Sequence, residues 1–318
     1  MTIAWIIGSK GLLGSAIARV LKRQKLSVFS PDQRITWERE ADIEGQLRAA
    51  IAAFATQVRS EKCWEIYWVA GVGTMGSTDD ELGLEKRVLA SLLRIIEGNV
   101  ELMTHSGALA FASSAGAIYA GSRVEVIDEA TPIAPTTPYA RAKLEQEELI
   151  RAFLSKTNVT GLLARMTTLY GPGQTTAKQQ GLIAHIARSV VRNRPIQIYV
   201  PFETIRDYIW IDDAAISMVN NLRGVCAQSR ILTKIIASEL PVTIAEILAI
   251  FRRLTRRPIR IVTSAGRLTS VYSRRVHFSS TTGIEMASLN QTTLLIGIAQ
   301  VLATERRAYI ESTPPRLQ

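Results

Sequence analysis

The chain has 318 residues, 47% hydrophobic and 21% charged, a balance that describes a folded, soluble protein with a large core and excludes a disordered one. No window reaches the roughly 18 apolar residues of a membrane span, so no integral membrane segment is expected. Cys63 and Cys226 lie far apart and the three histidines are scattered, which excludes a disulfide framework and a zinc site. The net charge of +10 is uneven: from Pro241 onward eleven Arg against four acids give +7, leaving +3 for the first 240 residues. The densest basic stretch, "FRRLTRRPIR" (251–260), reads as a solvated helix face ahead of a surface that attracts phosphates, nucleic acid or an anionic membrane. No aromatic-interleaved basic stripe or nucleic-acid motif accompanies it, and no nucleic-acid partner is expected.

In chain order the pattern is strand, turn, helix, repeated. "TIAWIIG" is a short apolar run stopped by glycine, and "SAIARVLKRQ" follows with helical periodicity. The apolar N-terminus lacks a basic leader and a cleavage region, so it is not a signal peptide and a cytoplasmic protein is expected. "KLSVFSPD" is a second strand and "IEGQLRAAIAAFATQV" a second helix. "WEIYWVAGVG", "ALAFASSAG" and "TGLLARMTTLYG" read as further buried strands, with helices around 80–97 and 138–155 between them. Such alternation predicts an α/β fold, a doubly wound parallel sheet of the Rossmann type whose ligands sit at the carboxyl ends of the strands. After "YGPGQ" the alternation weakens. The reading is a dinucleotide-binding domain over 1–174, completed by about 204–225 where "RDYIWIDDAA" returns to the main sheet, and a smaller α/β lobe from 175–203 and 226–318.

The chemistry begins at GSKGLLG, where Gly8, Gly11 and Gly14 stand between a strand and a helix. Glycine lets the backbone turn tightly against a pyrophosphate, and the helix start offers free N–H groups and a positive dipole end. Asp32, eighteen residues beyond Gly14 at the end of the second strand, can accept hydrogen bonds from an adenosine ribose and so favours NAD. Lys10 and Arg34 could instead face the 2′-phosphate of NADP.

In "TTPYARAKLEQEEL" (136–149) Tyr139 and Lys143 lie four apart, on one face of a helix. Thr137 suits the N-cap and Pro138 the first helical position, which puts Tyr139 near a positive helix end. A free phenol, with a pKa of about 10, is a poor base at neutral pH. A nearby ammonium, the helix end and a cationic nicotinamide would each lower that value, letting Tyr139 exchange a proton with a substrate hydroxyl. "ASSAG" (112–116) supplies hydroxyls to hold the same oxygen.

Five stretches, "GSKGLLG", "SSAGAIYAG", "PYARAKLEQEE", "LARMTTLYGPGQ" and "RDYIWIDDAA", make the chain resemble, over nearly its whole length, an extended short-chain dehydrogenase/reductase of the NAD-dependent epimerase/dehydratase family. The resemblance implies an NAD(P)-dependent enzyme that modifies a nucleotide-diphosphate sugar. It implies Tyr139 as acid/base, Lys143 as the group that orients the nicotinamide ribose, and Ser114 as the hydroxyl partner, with Ser113 in reserve. In many relatives that hydroxyl lies four residues before the tyrosine of a "YG" element; four before Tyr119 is Ala115, so Ser114 takes the role, and Ala120 interrupts the "YG" itself. Leu12, Leu13, Ala70 and Gly71 join the implied dinucleotide contacts. Ser113, Thr168 (where relatives carry Asn), Arg206 and Arg274 or Arg275 are implied substrate contacts. Ala115-Gly116 stand where the family's dehydratases carry Asp-Glu, so dehydration is disfavoured, and C4 epimerisation is expected ahead of 4-keto reduction. The resemblance also implies a homodimer, built on "ELGLEKRVLASLLRII" and the Tyr139 helix.

Overall fold

The computed structural model describes residues 1–33, 35–36, 40–71, 73–74, 76–174, 181–225, 230–263, 276–284 and 290–312. The chain begins with β1 (Thr2–Ile7), α1 (Leu12–Arg23), β2 (Ser27–Phe29), α2 (Glu40–Val58), β3 (Cys63–Trp68), α3 (Asp79–Glu97), the short α4 (Val100–Thr104) and β4 (Ser106–Ser114). One turn of helix, α5 (Ala115–Ile118), and β5 (Val126–Ile127) lead to α6 (Pro138–Lys156), β6 (Thr160–Met166) and β7 (Thr168–Tyr170). Then come α7 (Leu182–Val191), β8 (Ile196–Ile198), β9 (Ile205–Trp210), α8 (Ile211–Gly224) and β10 (Ile231–Ile236). The remainder holds β11 (Pro241–Thr243), α9 (Ile244–Thr255), β12 (Ile261–Thr263), β13 (His277–Phe278) and α10 (Leu294–Ser312).

Six strands form a central parallel sheet in the order β10-β6-β4-β3-β1-β2. Successive residues of a strand face opposite sides, and β1 is apolar on both. Ile3, Trp5 and Ile7 enter one core with residues of α2, α3 and α6; Ala4 and Ile6 enter a second with α1 and α8. Both faces are therefore covered, as the near-continuous apolar runs require. A third core gathers Tyr170, Tyr208 and Trp210 with α7, α9 and α10.

The structure departs from the sequence reading in the second half. "TGLLARMTTLYG" is not one strand. Thr167 donates its backbone N–H to Ile236 (3.0 Å) and its hydroxyl to Asp207 (2.6 Å), and the chain leaves the central sheet there. β7 then pairs with β9, and β9 with β11, in a separate three-stranded sheet. The strand of "RDYIWIDDAA" thus does not return to the main sheet, although α8 behind it packs there. The outermost strand on that side is β10, from the segment that the sequence reading gave to the smaller lobe.

Two contacts fix the neighbourhood of the site. Glu129, on the approach to α6, accepts N–H groups from Ile235 (2.7 Å) and Thr281 (2.9 Å). Lys234, fully buried in β10, donates to Ser280 (2.7 Å) and to the Thr282 carbonyl (2.6 Å). Among the described residues no helix is long and apolar enough to cross a membrane.

Close packing across β3 and β4 leaves no room at Gly107, where a Cβ would lie 2.1 Å from the Trp64 ring. Trp64 cannot step aside, because it is buried and its indole N–H is held by the Leu102 carbonyl at 2.9 Å. Gly107→Ala is expected to lose about 1–3 kcal/mol of stability by overpacking, measured as a lower denaturant midpoint with unchanged slope.

Candidate active site

The sheet's register brings the site together. Ile7 lies opposite Trp68, and Trp68 opposite Phe111, so β1, β3 and β4 end on one edge. β4 runs three residues further and carries Ser113 and Ser114 to that edge, opposite Arg165 and Met166 of β6.

At the end of β1 the chain turns through Gly8 at φ +100°, a conformation that side chains other than glycine rarely adopt. A Cβ on Gly8 would come within 2.6 Å of the Ala70 nitrogen, and one on Gly14 within 2.2 Å of the Gly8 carbonyl oxygen. Gly11 donates its N–H to that carbonyl (2.9 Å) and is the N-cap of α1, where no side chain caps the helix and no acid occupies the first turn. Leu13 is buried in the core beneath and Leu12 half-buried, while Lys10 is exposed. A backbone cradle beside an uncapped helix start is what a pyrophosphate needs. Asp32 is exposed just beyond β2; Arg34 lies outside the described residues. Ala70 and Gly71 follow β3; Ala70 borders this cradle, and Gly71 stands beside Glu85.

Tyr139 is placed by its cap, as the sequence predicts. The Thr137 hydroxyl accepts the Ala140 N–H at 3.2 Å, and Pro138 opens α6. The Ser114 hydroxyl lies near enough to the Tyr139 phenol to favour its ionised form. The Lys143 Nζ, 7% exposed, lies 5.8 Å from the centre of the Tyr139 ring and 5.2 Å from that of Phe111, and donates to Gln146 at 3.1 Å. The structure therefore brings Ser114, Tyr139 and Lys143 together.

Ser113 meets α6 further along the helix, at Glu147. It is buried, and its hydroxyl donates to Glu147 at 2.7 Å. Ser113 joins a buried network in which Arg165 grips both oxygens of Glu147 (3.0 and 2.7 Å) and donates to the Tyr119 hydroxyl (2.6 Å). The Ser113 hydroxyl is thus engaged by Glu147. Thr168 opens β7, half-buried, opposite Tyr208. Arg206 donates to the Ile205 carbonyl (2.8 Å), while its alternative partners Asp212 and Asp213 are engaged by Arg19 and Thr292. Arg274 and Arg275 lie outside the described residues.

A residue absent from the sequence reading completes the picture. Glu85 of α3 is 8% exposed, 3.9 Å from the Lys143 Nζ, and accepts the N–H of Gly73. The signal was present in "ELGLEKRVLASLLRII": Leu82, Glu85, Val88, Leu89 and Leu92 form one buried stripe, and a carboxylate in an apolar stripe marks a site. It also reverses an electrostatic expectation. Burial first, then the Glu85 charge, push the Tyr139 phenol up to about 12, outweighing the Ser114 hydrogen bond that favours the phenolate. Burial likewise pulls Lys143 below its usual value, against the charges of Glu85 and Glu147.

A doubly wound parallel sheet with a glycine cradle at one strand end and a Ser–Tyr–Lys cluster two strands away defines a class, the Rossmann-type short-chain dehydrogenase/reductase fold. Residues 4–225 match the model of the NAD dependent epimerase/dehydratase family, and the chain belongs to that family. A curated relative, dTDP-L-rhamnose 4-epimerase of Burkholderia thailandensis, is 34% identical over 89 residues, 28% of this chain and 24% of the relative. Matched segments span about a quarter to a third of the first curated relatives' own length. Among solved structures, the UDP-glucose 4-epimerase of Thermotoga maritima with UDP-glucose superposes with a TM-score of 0.76 at 16% identity, covering 97% of this chain and 100% of that one. RMD from Pseudomonas aeruginosa complexed with NADPH gives 0.76 at 18% identity, with the same coverage of each chain.

Because folding raises the Tyr139 pKa, the neutral phenol contributes stability that is fully present below about 10 and lost as the pH rises through about 12. Tyrosinate absorbance titrations of the wild type and of Tyr139→Phe should differ by one phenol titrating near about 12, and a difference centred near 10 would contradict this environment.

Proposed function

We propose that this chain is a nucleotide-sugar epimerase that inverts C4 of the sugar by transient oxidation. The observation that carries the reading is the juxtaposition of Ser114, Tyr139 and Lys143 at the strand edge that also holds the Gly8–Gly14 cradle. The crowded, Cβ-free backbone at Gly8 and Gly14 and the uncapped start of α1 fit a dinucleotide pyrophosphate. When bound, the dinucleotide accepts a hydride from C4 and returns it. Asp32 at the end of β2 favours NAD as that dinucleotide; Lys10 and Arg34 keep NADP as the alternative.

In this reading the Tyr139 phenolate, which a bound cationic nicotinamide would favour, takes the proton of the C4 hydroxyl as the carbonyl forms, and the resulting phenol gives it back when the sugar presents its other face. Ser114 donates a hydrogen bond to the same oxygens, and Lys143 anchors the ribose next to Tyr139. Residues 175–203 and 226–318 hold the nucleotide, with Arg206 on the diphosphate and Thr168 beside the sugar. The chain acts as a homodimer through the outer faces of α3 and α6, which pack side by side.

A second reading, net reduction of a 4-keto sugar, is favoured by one observation: a phenol pushed up to about 12 keeps its proton, as a donor must. The two differ in stoichiometry. Epimerisation consumes no reduced dinucleotide, whereas reduction consumes one per product, which absorbance at 340 nm follows directly.

Incubation with UDP- and dTDP-hexoses should give a C4-inverted product by NMR, and mass spectrometry of the dinucleotide released on denaturation should return NAD. Tyr139→Phe is expected to cut kcat by about 10²–10⁴-fold while leaving that dinucleotide bound. Undiminished turnover in this variant would remove Tyr139 from the chemistry.

A further inference from the structure

We propose that Glu85 is a fourth member of the site, a positioning residue that ties the Lys143 ammonium to the turn after β3 and governs how readily Tyr139 releases its proton. The inference rests on the reading of Ser114, Tyr139 and Lys143 as the reacting group. Its basis is geometric. Glu85 reaches from α3 between two elements that meet the cofactor edge. One oxygen lies 3.9 Å from the Lys143 Nζ, and the other accepts the Gly73 N–H. A Cβ on Gly71 or on Gly73 would stand 3.3 or 3.2 Å from that second oxygen, so the carboxylate occupies the room these glycines leave.

The other charged groups around Tyr139 and Lys143 are already matched. From α6, Glu147 faces Lys143, but it is gripped by Arg165 of β6 at both oxygens. Among the described residues, Gln146 of α6 and Ser114 and Phe111 of β4 also lie near these groups and carry no charge. Glu85 therefore supplies the carboxylate that Tyr139 and Lys143 feel most directly. A buried lysine loses its proton easily unless a negative group holds it, and a carboxylate close to a phenol opposes the phenolate. One side chain thus performs two tasks: it keeps Lys143 charged, and it delays the ionisation of Tyr139. A purely structural tie between α3 and the turn would need only a hydrogen-bond acceptor, which glutamine supplies equally well. Charge is the property in question.

Glu85→Gln tests it, since the amide oxygen still accepts from Gly73. The Tyr139 titration, read at 295 nm as the difference between Glu85→Gln and Glu85→Gln/Tyr139→Phe, is expected about one pH unit below its position in the wild-type background. The acid limb of the kcat–pH profile should move the same way. An unmoved phenol overturns the proposal. If Glu85→Gln does not fold alone, Lys143→Met strands the carboxylate, and Lys143→Met/Glu85→Gln should then melt at a higher temperature than Lys143→Met; a double variant no more stable than the single one also overturns it. The titration needs no sugar. A shifted phenol in a protein that turns over no nucleotide sugar would count against the proposed function and leave the role of Glu85 standing. A wild type that turns over a sugar nucleotide, with an unshifted Glu85→Gln profile, would do the reverse.

Discussion

The buried pair of Glu147 and Arg165 is the contact around which the site is organised. Glu147 lies eight residues beyond Tyr139 on α6, about 12 Å along the axis at 1.5 Å per residue, and a helix of that length is stiff. Arg165 sits on β6 directly opposite Ser113 of β4. When the guanidinium takes both carboxylate oxygens and Ser113 donates to the same group, α6 is fixed against two strands at once. The next residue of β4 is Ser114. Its meeting with Tyr139 is thus set by a network that never touches the reacting atoms. Removing one partner would leave an uncompensated buried charge, typically about 3–5 kcal/mol, so the arrangement holds only as a whole.

Much of this was legible in the sequence because its cause is local. Gly8, Gly11 and Gly14 announce a tight turn, and Thr137 and Pro138 a helix start. The apolar runs of β1, β3, β4 and β6 announce a parallel sheet buried on both faces. What was hidden depends on partners remote in sequence. Ser113 and Ser114 are equivalent until Glu147, 34 residues away, claims one of them. The single apolar run "TGLLARMTTLYG" conceals a change of sheet, because Thr167 is drawn out by Asp207 and Ile236. Propensity has no access to such contacts. Glu85 is intermediate: a charged residue in an apolar stripe is visible, but only the fold reveals that it faces Lys143.

The electrostatic reading changed most. Adjacency of Tyr139 and Lys143 suggests an activated phenolate, yet burial acts on both groups and disfavours the charged form of each. The Ser114 hydrogen bond pulls the phenol back only in part. Proximity in sequence identifies the players, and desolvation decides their protonation. The fold matches at 16–18% identity over 97% of the chain illustrate the same division, since a parallel sheet asks for a pattern of burial and a protonation state asks for particular neighbours.

The proposed pyrophosphate cradle is written almost entirely in main-chain atoms. At Gly8 and Gly14 there is no side chain to vary and no space to add one, so sequence drift has nothing there to work on. The end of β2 is the opposite case, with Asp32 exposed and outside every core. If Asp32 meets the ribose as proposed, the choice between the two dinucleotides is made at the surface, apart from the loop and the proposed reacting residues. Choice of coenzyme and choice of reaction become independent, heritable traits on one scaffold.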